Sequence, residues 1–138
     1  MSLEPGGGSS VPDGDAIIHF DEGLVGFSEC KDFRMLANPE IAPFHLLQMA
    51  CREDIGFMVI DPALVMPDYY TKIPAREWET IGIAEGDPRM AFTICIVGKE
   101  PRQATGNFQA PLIVNHKKMI GRQLILTDLA LSVRHPLV

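Results

Sequence analysis

Met90-Ala-Phe-Thr-Ile-Cys-Ile-Val97, followed after a polar break by Leu112-Ile-Val114, decides the fold. The first run is uncharged and rich in β-branched and aromatic residues, which suits a strand covered on both faces in a closed or sandwiched sheet. It stops at Gly98-Lys99-Glu100-Pro101. Pro111 has no N–H to give to a ladder, so it opens the second strand rather than interrupting one. His116 to Gly121 then reads as a hairpin connection and Arg122-Gln-Leu-Ile-Leu126 as the returning strand, giving three antiparallel strands.

Upstream, the same kind of signal recurs. Ile17-Ile-His-Phe20 is the first credible strand, with His19 on the face opposite Ile18 and Phe20. Gly23 and Gly26 mark a sharply turning loop that pins Leu24 and Phe27 to the core. Lys31 to Leu36 alternates as a half-buried strand, and Phe44 to Met49 and Gly56 to Ile60 pair as a hairpin across an acidic turn. Pro62 and Pro67 exclude regular structure between Asp61 and Ile73, where Tyr69 and Tyr70 serve as aromatic anchors. One short helix is expected near residues 74–82. Pro74 suits its first position, Trp78 and Ile81 share a face, Glu77 and Glu79 face out, and Gly82 takes the left-handed conformation after it. Trp78 reads as a cap over an open end of the sheet. A last strand is expected around Ala130 to Val133.

Residues 1–16, punctuated by Pro5-Gly-Gly-Gly-Ser-Ser10, have almost nothing apolar to bury and read as a flexible leader before one domain over residues 17–138. A chain of 138 residues with 46% hydrophobic residues can bury a core without staples. The longest apolar run is far short of a membrane span, and no signal-peptide pattern opens the chain, so a cytoplasmic location is expected.

Residues 1–98 hold 16 acids and 6 bases, and residues 99–138 hold 2 acids and 6 bases. An acidic domain repels phosphate backbones and steers basic proteins, so direct nucleic-acid binding is disfavoured. Three cysteines, Cys30, Cys51 and Cys95, have no C-x-x-C pair, and the four histidines lack ligand spacing; neither a disulfide framework nor a metal site is written there. No nucleotide, metalloprotease or nucleophile-elbow motif is present, and no cofactor is called for. Two sets of residues stand out as partner-binding candidates. One is acidic with an aromatic: Asp61, Asp68, Tyr69, Glu77, Glu79, Glu85 and Asp87. The other is the polar block Thr105, Asn107, Asn115, Arg122 and Gln123, together with Gln109, for which internal bracing of the loops is an equal reading.

The series Phe20-x-x-Gly23-Leu24-x-Gly26-Phe27, Pro43-Phe44-x-x-Leu47-Gln48, Asp61-Pro62, Pro67-Asp68-Tyr69, Thr105-x-Asn107-x-x-Ala110-Pro111-Leu112-x-x-Asn115, Gly121-Arg122-Gln123 and Arg134-His135-Pro136-Leu137 resembles the flagellar assembly factor family, FliW, from about Ile17 to the end. The resemblance implies an antiparallel β-barrel-like domain with one short helix. It also implies a cytosolic, non-enzymatic protein that binds flagellin and, when flagellin has been exported, binds and allosterically antagonises the RNA-binding regulator CsrA. Two departures follow. Gly-Gly-Gly-Ser-Ser stands where the family has an extra first strand, so one barrel edge is expected to be open and available for self-association. Val25 stands where the family tends to have Pro, which implies altered partner choice. Two other classes remain: an adaptor barrel that binds an unrelated protein by strand addition, and a small hydrolase using Cys51 with a histidine.

Overall fold

The computed structural model describes residues 17–97, 103–128 and 130–137. The expected leader and the Gly98 to Pro101 stop lie outside the described residues. Seven strands form a closed barrel: β1 (Ile17–Phe20), β2 (Asp32–Ala37), β3 (His45–Met49), β4 (Gly56–Ile60), β5 (Met90–Ile96), β7 (Leu112–Asn115) and β8 (Ile120–Gln123). Two short strands, β6 (Thr105–Gly106) and β9 (His135–Pro136), extend the sheet beside the second half of β5. One helix, α1 (Ala75–Glu79), follows β4.

Every neighbouring pair is antiparallel except β1 and β8, which run parallel through His19↔Ile120 and Phe20↔Gly121. This seam, with the β4–β5 pairing, closes the barrel and corrects the expectation of an open edge. Self-association and strand addition through that edge lose their basis among the described residues. Among the described residues the sheet ends at β9, two residues long and blunted by Pro136, which has no N–H to offer.

The alternation read from sequence sorts side chains to two cores. Ile18, Phe20, Phe33, Met35, Leu47, Met49, Val59, Met90, Phe92, Leu112 and Val114 fill the barrel. Ala91 and Ile113 point outward from β5 and β7 into a second core with Tyr69, Trp78, Ile81 and Phe108. The segment between β4 and β5 therefore lies over the outside of the barrel wall, so β5 and β7 are buried on both faces, as their uncharged sequences require. Trp78 covers this wall rather than an open end, stacking on Tyr70 with Arg89 over its ring.

Local corrections have simple causes. Pro62 and its neighbours do form regular structure, as 3-10 turns at Pro62–Leu64 and Tyr69–Lys72, because Pro at the first position costs no hydrogen bond and Asp61 caps the first turn through Ala63 N–H. Pro74 is the cap of α1 rather than its first residue. The end of α1 is as expected: Gly82 has φ +81, its N–H reaches Glu79 O, and Ile83 N–H reaches Trp78 O, the two bonds of a Schellman motif. The last strand forms at His135–Pro136, not at Ala130 to Val133, where Asp128 accepts from Ala130 N–H and Ser132 Oγ from Arg134 N–H to make turns. Finally, Cys30 and Cys51 form a disulfide with Cα atoms 6.0 Å apart, although nothing in their spacing announced it. In this paired state Cys51 is not a free nucleophile, so the attacking group of the hydrolase reading is occupied.

Candidate protein-binding surface

Of the polar block, Asn115 turns inward, while Thr105, Asn107, Gln109, Arg122 and Gln123 are half-exposed. Asn115 is 4% exposed; its Nδ2 donates to Ile81 O, and its Oδ1 accepts from Lys117 and Lys118 N–H, so it joins the end of α1 to the β7–β8 turn. Asn107 Oδ1 accepts from Gln109 and Ala110 N–H and shapes the approach to β7. Gln123 donates to Ala110 O and accepts from Val25 N–H at 2.8 Å, bridging the Gly23–Phe27 turn to the barrel. Thr105 sits in β6 between Ile96 and Pro136. These contacts brace the loops that lead into and out of β7 and β8.

The acidic set divides as well. Tyr69 is wholly buried and donates its hydroxyl to Phe108 O, which anchors its loop on the barrel wall. Burial raises the pKa of its phenol, which stays neutral at any physiological pH. Asp61 is occupied by Ala63 N–H and the Tyr70 hydroxyl. Glu77, expected to face out, is half-buried and lies 3.5 Å from Arg122, whose Nε is 3.7 Å from Glu22. Asp68, Glu79, Glu85 and Asp87 are exposed on the segment over the barrel wall. Asp87 also accepts from Ala84 N–H, which fixes its loop.

Beside α1, the β1–β8 seam opens as a groove of about 460 Å³ lined by His19, Asp21, Glu22, Thr80, Ile81, Ile120, Gly121 and Arg122. His19, Asp21 and Glu22 were not among the residues singled out from sequence, since only the seam brings them to the helix. His19 Nδ1 is 2.8 Å from Asp32 Oδ1, and Nε2 is 3.6 Å from Asp21. The hydrogen bond to Asp32 raises the imidazole pKa above its ordinary value. The signal missed was the acidic Asp21-Glu22 pair directly after an expected strand. A second feature, Val25, stands 71% exposed at the tip of a turn whose neighbours Leu24 and Phe27 pack inward. Across α1, Lys118 lies against Gly82, with its ammonium near the helix C-terminus, where a cation is favoured.

Such a molecule is a small closed β-barrel with an acidic, groove-bearing shoulder and with no cluster of potential metal ligands among the described residues. The FliW protein family model matches residues 8–137, and the chain belongs to that family. It is similar to the flagellar assembly factor FliW of Desulfitobacterium hafniense strain Y51, at 36% identity over 89% of this chain and 81% of that protein. It is also similar to that of Leptospira interrogans serovar copenhageni, at 37% identity over 86% and 79%. A crystal structure of the flagellar assembly factor FliW superposes with a TM-score of 0.78 at 31% identity, covering 88% of this chain and 84% of that one. No helix among the described residues is long and apolar enough to cross a membrane.

Proposed function

We propose that this chain is a cytoplasmic, non-enzymatic binding protein of flagellar assembly, which holds flagellin and, when flagellin is absent, binds and antagonises a CsrA-type regulator. Family membership supports the biological setting. The observation that carries the regulator contact is that Asp68, Glu79, Glu85 and Asp87 are all exposed on the segment whose apolar side chains pack against the barrel wall. CsrA-type regulators are basic, and complementary potential raises association rate and fixes register.

The test is titration calorimetry against the organism's own flagellin and, separately, its CsrA-type regulator, each at two salt concentrations. Regulator binding that weakens with salt, with flagellin displacing the regulator, is the expected result. Reversing Glu79, Glu85 and Asp87 to Lys should weaken regulator binding and flatten its salt dependence. Unchanged affinity and unchanged salt dependence in that variant would exclude this surface, and no binding to either protein would overturn the reading as a whole.

A further inference from the structure

Cys30 ends the loop that follows β1, and Cys51 lies in the β3–β4 turn, so their bond ties two loops at one end of the barrel. The two sulfurs are unequal. Cys30 is buried at 3% exposure, whereas Cys51 is exposed. Cys51 N–H points at Cys30 Sγ over 3.3 Å, and Cys30 Sγ lies 3.5 Å from Asp32 O. A thiol arriving from solvent therefore meets Cys51, and Cys30 is the sulfur that leaves. Burial in the apolar core disfavours a thiolate at Cys30, and the backbone N–H of Cys51 aimed at that sulfur offsets part of this cost as the bond opens. Once protonated, Cys30 has the Asp32 carbonyl as its acceptor. The surroundings of Cys30 thus serve both redox states.

We infer that Cys30–Cys51 is a reversible thiol–disulfide site, opened by a small-molecule or protein thiol attacking Cys51, that sets how firmly the exposed Gly23–Phe27 turn is held. In the first step an external thiolate bonds to the Cys51 sulfur, the Cys30–Cys51 bond breaks, and Cys30 departs with the electron pair. A second external thiolate then attacks the mixed disulfide and releases Cys51 as thiolate, and both protein thiolates take up protons from solvent. The protein disulfide is reduced by two electrons, and two external thiols are oxidised to one disulfide. The reverse sequence, driven by a low-molecular-weight disulfide, restores the bond. The turn is fastened by Leu24, by Gln123 and by Phe27, which meets Phe57 edge to face; beyond Phe27 the chain runs through exposed Ser28 and Glu29 to Cys30, with Cys30 N–H to Phe27 O at a long 3.5 Å, so the disulfide is what holds this last stretch and, through it, the seat of Phe27. This inference does not rest on the flagellar reading.

The experiment uses the full chain equilibrated in glutathione and glutathione disulfide at graded ratios, acid-quenched, alkylated and weighed intact. Hydrogen exchange is then measured on both end states. Cys30 and Cys51 should convert together between paired and free, while Cys95, a buried thiol pushed up to about 11, stays reduced throughout. In Cys30→Ser the mixed disulfide with glutathione should accumulate on Cys51, and in Cys51→Ser the buried Cys30 should stay unmodified. Reduction should speed exchange of the amides in 25–30 and 50–54 by about tenfold or more, with β5 and β7 unchanged. A pair that stays in one state at every glutathione ratio, a mixed disulfide mapped to Cys30, or equal exchange of the turn in both states would each overturn the proposal.

Discussion

Replacing Gly121 by alanine should unlatch the barrel where it closes. Gly121 is paired with Phe20 across the seam, and a Cβ there would stand 2.6 Å from Phe20 Cε2, 2.8 Å from Cζ and 3.1 Å from Ile113 O. The ring has nowhere to go, since Phe20 is fully buried and meets Phe33 edge to face at 5.4 Å between centroids. Overpacking of this kind costs about 1–3 kcal/mol. The alanine recovers about 0.5–1 kcal/mol of backbone entropy, leaving a net loss of about 1–2 kcal/mol. With a urea slope of about 2 kcal/mol/M, the denaturation midpoint should fall by roughly 0.5–1 M. Phe20→Leu alone should also destabilise, but the double variant should lose about 1 kcal/mol less than the sum, because the shorter side chain vacates the space the new methyl needs. A wild-type midpoint for Gly121→Ala, or strict additivity in the cycle, would refute the reasoning.

Four further outcomes are expected. Asn115→Leu strips partners from Ile81 O and two turn N–H groups and should cost about 2–3 kcal/mol by urea denaturation, more than the same change at exposed Thr80. Gln123→Ala should speed hydrogen exchange at the Val25 amide, whose acceptor it removes, and lower stability by about 1 kcal/mol. By NMR titration His19 should have a midpoint above 6.5, returning towards the ordinary value in Asp32→Asn; its contribution to stability is full below 6.5 and is lost as pH rises through the raised folded pKa. Half-buried His45, beside the Phe92 ring, should titrate below 6.5 because burial disfavours its charge; its contribution is present above 6.5 and lost as pH falls towards the lowered value, so His45→Phe should blunt acid destabilisation.

Most strands were legible because each apolar run has its own local signature, and β1, β3, β4, β5 and β7 lie within a residue or two of where hydrophobicity and turn residues put them. The end of α1 was legible for the same reason, since Gly82-Ile83 carries its own stop signal. What was not legible depends on partners remote in the chain. The seam rests on two residue pairs about a hundred positions apart, and no local pattern in Ile17 to Phe20 names Ile120 and Gly121. Cys30 and Cys51 meet because β2 and β3 pair and Ala50 N–H reaches Asp32 O, a proximity that loop spacing does not encode. Tyr69 was read correctly as an anchor but also offered to a partner, because an aromatic in a loop has the same appearance in sequence whether it points in or out. Glu79 is exposed as its place on the helix indicates, whereas Glu77, with the same appearance in sequence, is half-buried beside Arg122, a partner from the far end of the chain. Asp21 and Glu22 reach the helix only through the seam.

The parallel pairing of β1 with β8 also orders events during synthesis. The first strand leaves the ribosome with only β2 available beside it, and its other edge waits for residues about a hundred positions downstream. Through most of translation the nascent sheet is therefore an unclosed ribbon with an apolar inner face, the form in which β proteins are most prone to pair with one another. Closing so long a loop is slow, and little of its entropic cost is returned until Phe20 seats on Gly121. The chain thus acquires its protected form only once β8 is free to pair with β1.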